Sequence, residues 1–190
     1  LGRGNGPLLV SRRPLRQAQL QGLKIAVPGL HTTANLLLGR LFPGIGPRKP
    51  YLFSEIAPAV LRGECEAGVL IHEGRFTYRE QGLQLVADLG VEWERQTGLP
   101  LPLGAIAVSR ELPLEIRQRV GRVLRRSIEY AFAHPEASAA FVREHAQELS
   151  AEVTRQHIEL FVNRYSLSLG SEGRRAVMTL LNLNDQEVFV

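Results

Sequence analysis

The strongest constraint on the fold is a series of short apolar runs, each of four to seven residues and each ending in a turn. The runs are Pro7–Ser11 (PLLVS), Lys24–Val27 (KIAV) and Ala67–Ile71 (AGVLI), followed by Leu83–Asp88 and Leu103–Ser109. Runs this short bounded by Gly, Pro or polar residues fit buried strands rather than helices. Helical patterns separate them. One spans about Thr33–Leu41; another follows Ser54, a candidate N-cap, with Pro58 in its early turns and Gly63 at its end. Trp93 sits in a further short helical turn. Phe42–Pro50 is rich in Gly and Pro and is expected to be a loop, with Tyr51–Phe53 as a short strand after it. Strand, helix, strand in series implies an α/β fold with parallel pairing and right-handed crossovers.

Past about residue 110 the pattern becomes all-helical. Pro113–Ala133 reads as one helix, with Pro113 in its first turn and Pro135 beyond its end. Pro135–Leu149 is the next. Ser150 caps a third to about Arg164, and Ser171 a fourth to about Leu181. PLLVSRR at 7–13 and AIAVSRE at 105–111 look alike, each an apolar strand entering Ser-Arg. Two strands connecting lobes would look so, one leaving and one returning; a common strand composition would produce the same likeness. The division expected from this is residues 14–106 as one α/β lobe, with 1–13 and 107–190 forming the other.

Composition narrows the function classes. Aromatic residues are 6% of the chain, so aliphatic side chains must fill the core. The net charge of +4 comes largely from arginines on predicted helix faces. Arg117, Arg119, Arg122, Arg125 and Arg126 share a segment in which Ile116, Val120, Val123 and Leu124 recur at helical spacing. That is a solvated face opposite an apolar stripe rather than a nucleic-acid surface, which would need interleaved aromatic residues. Cys65 is the one cysteine, so no intrachain disulfide forms. The five histidines show no metal-ligand spacing. No apolar run reaches membrane-spanning length, and the N-terminus lacks signal-peptide features, so the cytoplasm is the simplest compartment.

Two turns carry the candidate chemistry. The run Ala67–Ile71 stops at His72-Glu73-Gly74, delivering a histidine to the end of a strand. Open α/β sheets bind ligands at that edge, and histidine is the side chain suited to proton transfer near neutrality. A local strand-capping role is the plainer alternative. The KIAV strand ends in Pro28-Gly29-Leu30-His31-Thr32-Thr33 and opens a helix. There Gly29 permits a tight turn, while Thr32 or Thr33 caps the helix or offers a hydroxyl beside amides that attract anions. A third segment, Thr97–Gly104 (TGLPLPLG), is stiffened by two prolines and could line an apolar pocket.

GLKIAVPGLHTTANLLL, LRGECEAGVLIHEGRFTY and LVADLGVEWERQTGLPLPLGAIAVSR, with AHPEA, HAQELS and VNRYSLSLG further on, resemble the 1,4-dihydroxy-6-naphthoate synthases of the futalosine route to menaquinone. The resemblance runs in order through most of the chain. It implies a periplasmic-binding-protein-like fold of two α/β lobes joined by two crossing strands, with a cleft between them and a helical C-terminal part. It implies a carbon–carbon lyase that converts cyclic dehypoxanthine futalosine into 1,4-dihydroxy-6-naphthoate, with no metal and no organic cofactor. The histidine of the IHE motif, here His72, is then the general base; Thr32 and Thr33, with Gly29, line the substrate site. The partner is a small-molecule substrate, with no nucleic acid and no membrane, and a homodimer is left open. The family begins with a further strand-helix-strand segment that nothing here matches, whereas EVFV resembles a family end. One lobe is therefore expected to be N-terminally incomplete, lacking one wall of the cleft. Two other classes use this fold: a solute-binding protein of a transporter, and the sister chorismate dehydratase. The HTT and IHE motifs together favour the synthase.

Overall fold

A computed structural model describes residues 1–72, 74–145, 151–183 and 189, the side chains of 151–153, 156 and 157 excepted. The chain separates into two compact units, Arg3–Leu103 and Leu1–Gly2 with Gly104–Val190. Leu8–Ser11 therefore belongs to the same unit as the other strands, whereas the sequence pattern groups residues 1–13 with the helices.

The first unit is built on a sheet with strands β1 (Leu8–Ser11), β2 (Ile25–Val27), β3 (Arg48–Pro50), β4 (Ala67–Leu70) and β5 (Gln84–Asp88), in the order β3-β2-β4-β1-β5. Helix α1 (Thr33–Leu41) links β2 to β3, and α2 (Ile56–Leu61) links β3 to β4. These crossovers make β2 parallel to both neighbours, with Ile25 opposite Arg48 and Ala67. The short α3 (Gly74–Thr77) follows β4, and α4 (Leu89–Thr97) follows β5.

β1 departs from the expected all-parallel pattern. It lies antiparallel between β4 and β5, with Leu8 opposite Leu70 and Ser11 opposite Ala67. The reason is the connection. Ser11 ends beside the first residue of β4, and β2 begins beside that same residue, so residues 12–24 stay at one edge of the sheet. No crossover lies between β1 and β2, and the direction reverses.

Two other expectations fail. Tyr51–Phe53 is not a strand: the pairing segment is Arg48–Pro50, and Phe53–Glu55 forms a 3₁₀ turn leading into α2. An edge strand tolerates Pro50, because its missing N–H faces no second partner. Leu103–Ser109 is also not a strand. No described strand pairs with it, and Ile106 is 73% exposed. Without a partner edge the run forms no ladder, and Leu103 O accepts instead from a side chain, Thr33 Oγ1.

Aliphatic side chains do fill the core, as the scarcity of aromatics requires. Leu9, Val10, Ile25, Val27, Leu37, Leu38, Ile56, Val60, Leu89 and Leu101 are fully buried, each contributing about 1.5–3 kcal/mol of transfer free energy. Trp93 is buried too, and its Nε1 donates to Pro100 O at 3.1 Å. That bond answers the cost of burying an indole N–H and anchors the Leu99–Leu101 path, whose leucines enter the core.

The second unit is helical where it is described: α5 (Leu114–Ala133), α6 (Glu136–His145), α7 (Ala151–Phe161), α8 (Arg164–Leu167) and α9 (Gly170–Leu181). The expected cap Ser150 and the final EVFV, apart from Phe189, lie outside the described residues. Ser171 falls inside the first turn of α9 rather than before it. Gly173, Ala176 and Leu180 of α9 face inward. Asn163 caps α8 by accepting from Tyr165 N at 3.0 Å, and its Nδ2 donates to Leu1 O at 2.9 Å.

The apolar stripe of α5 is only partly covered: Val120, Leu124 and Ile128 are half-buried. Leu114, Val123, Tyr130 and Phe132 are exposed. Exposed apolar surface of this kind drives association. We expect the purified 190-residue chain to elute from size exclusion as species larger than a monomer, increasing with concentration. A monomer peak unchanged by concentration would contradict this.

Candidate functional site

The site residues read from the sequence all follow the carboxyl ends of neighbouring parallel strands. β2 and β4 are in register, with Ala26 opposite Gly68. The turn after β2 carries Gly29, Thr32 and Thr33, and His72 follows β4. These residues are therefore brought to one edge of the sheet. The turn after β3 joins them there through Phe53, whose ring meets the His72 imidazole edge-on, with centroids 5.4 Å apart and planes at 68°.

His72 has φ of +54°. A side-chain-bearing residue in this region costs roughly 1–3 kcal/mol and persists where its surroundings over-determine it. His72 is also exposed. An aliphatic strand thus ends abruptly and turns left-handed, presenting an imidazole to solvent at the sheet edge. His72 O accepts from Arg75 N at 3.3 Å, which closes the turn into α3.

The turn before α1 is built around its cap. Thr32 Oγ1 accepts from Asn35 N at 3.2 Å and donates to Gly29 O at 2.8 Å. Gly29 has φ of +142°, and a Cβ there would come 3.1 Å from Thr32 Cγ2. Asn35 is buried, and its Nδ2 donates to Leu30 O at 2.7 Å while its Oδ1 accepts from Arg48 at 3.2 Å. Burial of this amide is compensated on both sides, and the Leu30 carbonyl is pinned. Thr33 Oγ1 donates to Leu103 O at 3.0 Å. Both threonine hydroxyl protons are thus committed to backbone carbonyls. What this turn offers an anion is the N-terminal end of a nine-residue helix, its amides and its dipole.

A stability test follows from these bonds. Thr32→Val removes the cap and is expected to cost about 1 kcal/mol. Thr33→Val removes one hydrogen bond and is expected to cost about 1 kcal/mol more. Chemical denaturation measures both. No loss in Thr32→Val would show that the cap does not hold this turn.

Asn35, Phe53, Arg75 and Asp88 stand outside the candidate site residues that the sequence offers. Asp88 had a signal: an acidic residue closing a strand before a helix is an N-cap. Its Oδ1 accepts from Gly90 N at 2.9 Å and Val91 N at 3.1 Å. The others are recruited by tertiary contacts that no local pattern announces.

Among solved structures, a protein from Archaeoglobus fulgidus matches with a TM-score of 0.84 and 36% identity, over 95% of this chain and 67% of that one. The ligand-binding component of an ABC-type import system from Staphylococcus aureus matches with a TM-score of 0.57 at 12% identity, over 94% of this chain and 63% of that one. The second likeness is one of fold alone, and the fold is periplasmic-binding-protein-like. Two relatives are named 1,4-dihydroxy-6-naphthoate synthase. The one from Thermus thermophilus is 51% identical over 180 residues, and the one from Streptomyces coelicolor is 44% identical over 187. Each alignment covers 95% of this chain and 65% of the relative, so the chain spans a little under two thirds of their length. The family described as menaquinone biosynthesis matches residues 1–186. By that match the chain belongs to the menaquinone biosynthesis family.

Proposed function

We propose that this protein acts as a 1,4-dihydroxy-6-naphthoate synthase, a carbon–carbon lyase whose general base is His72. The observation that carries the reading is the placement of an exposed, left-handed histidine at the same carboxyl sheet edge as the N-terminus of α1. The names of the two relatives give the product, 1,4-dihydroxy-6-naphthoate; the substrate proposed with it, from the family resemblance, is cyclic dehypoxanthine futalosine. It is a spiro-cyclic nucleoside-derived acid that carries a benzoate.

His72 takes a proton from the substrate. The electrons released open the carbocycle and build the naphthalene, and the sugar-derived fragment leaves. A positioned general base of this kind contributes about 10²–10⁴-fold. The amides at the start of α1, held in place by Thr32 and flanked by Gly29 and Thr33, face a carboxylate or developing oxyanion. The reading further takes a small-molecule substrate as the ligand and the cytoplasm as the compartment, with a homodimer as an allowed assembly. Among the described residues no helix is long and apolar enough to cross a membrane.

The test is incubation of the protein with cyclic dehypoxanthine futalosine, with the naphthoate followed by mass spectrometry. Product above the uncatalysed background is expected. Tight binding of the substrate without product would instead favour the solute-binding reading of the same fold.

A further inference from the structure

Arg75 is a largely buried cation with no part in the proposed chemistry. It lies in α3, three residues after His72. Its side chain is 13% exposed, and that of its partner Asp88 21%. Arg75 Nη2 lies 3.5 Å from Asp88 Oδ2 and donates to Gly4 O at 3.1 Å. Asp88 Oδ1 is meanwhile occupied with the first amides of α4. The guanidinium thus ties α3 to the end of β5 and to the segment entering β1.

Stability alone is a poor reason for this arrangement. Burial pulls the Arg75 pKa down, and Asp88 only partly opposes it. Arg75 Nη1 is buried with no hydrogen-bond partner. A buried ion pair is weak as a source of stability, and an unpaired buried donor adds a cost. An apolar chain of similar length would fill the space without either penalty. The neighbouring turn, however, needs support. Four residues of helix are too few to be stable on their own, and the positive φ of His72 must be imposed from outside.

We propose that Arg75 is a positioning residue for His72: clamped to Asp88 and Gly4, it fixes α3 and, through its own N–H on His72 O, the left-handed turn that presents the imidazole. Its effect on turnover rests on the proposed role of His72 as base; its effect on the position of the ring does not. Lysine is an incomplete substitute, because a single ammonium lacks the planar fork that reaches a carboxylate and a carbonyl together.

The test compares Arg75→Met, Arg75→Lys and Asp88→Asn with the unaltered chain. Two quantities are read: kcat and KM for cyclic dehypoxanthine futalosine, and the nuclear Overhauser contact between the His72 imidazole and the Phe53 ring. Arg75→Met is expected to lower kcat by about 10²-fold with little change in KM, as a displaced reacting group does, and to weaken the ring contact. Arg75→Lys should recover part of both. Asp88→Asn keeps an oxygen for the α4 cap, so it should reproduce the loss without unfolding. The double variant Arg75→Met with Asp88→Asn should lose no more than Arg75→Met alone. An unchanged ring contact in Arg75→Met and Asp88→Asn would overturn the proposal. So would equal losses in Arg75→Met and Arg75→Lys with Asp88→Asn unaffected. Absence of turnover in the unaltered chain would count against the synthase reading, while the ring contact would still decide on the clamp.

Discussion

Replacing His72 by asparagine is expected to cut naphthoate formation by about 10²–10⁴-fold, the range of a lost general base, with the fold retained. Asparagine is the informative substitution because it tolerates positive φ better than most residues, so the turn at +54° survives. An amide has no basic site near neutral pH, so proton removal stops while the polar outline persists. Substrate affinity should change little, since the amides at the start of α1 are untouched. His72→Gly extends the argument. Glycine adopts this backbone without strain, so the variant should be no less stable than the parent, yet equally inactive. Turnover assays with thermal melts of both variants make the check. Near-normal turnover in His72→Asn would remove His72 from the chemistry.

The largest effect on stability is expected from Gly90→Ala or Gly6→Ala. A Cβ on Gly6 would sit 2.3 Å from both Gly90 Cα and Gly90 N, and one on Gly90 would sit 2.7 Å from Gly6 Cα. Both neighbours are backbone, so no rotamer change relieves the clash. Separating the two segments would strain the Leu89 N bond to Pro7 O, 2.9 Å long, the Asp88 cap of α4, and the nearby Arg75–Gly4 contact. Overpacking costs about 1–3 kcal/mol where side chains can adjust. Here it should reach about 3 kcal/mol or more, which lowers the melting temperature of a unit this size by more than about 10 °C. Gly104→Ala is the control, because nothing lies within 4 Å of its Cβ position. A loss below about 1 kcal/mol in Gly90→Ala would show that the close approach of the segment before β1 to the start of α4 yields easily.

LLVS, IAV and AGVL announce themselves as strands because every residue in them is buried, and burial is written in side-chain type. The cap at Thr32 is equally local, since a hydroxyl reaches an amide three residues on. The position of His72 at a strand end needs only the run before it. These features follow from the residue and its near neighbours. Pairing does not. Arg48–Pro50 has the composition of a loop and becomes a strand because β2 offers an edge, whereas Ile106 and its neighbours have the composition of a strand and find no described partner. The reversal of β1 depends on which edge its connection follows. The contacts that support the site join Arg75 to Gly4 across 71 positions and Gly6 to Gly90. No local pattern encodes such pairs, because the chain must first close long loops to bring them together. The sequence by itself determined which segments are buried, where they turn, and which side chain stands at the end of β4. The packing of β5, α4 and the segment before β1 decided how that side chain is held.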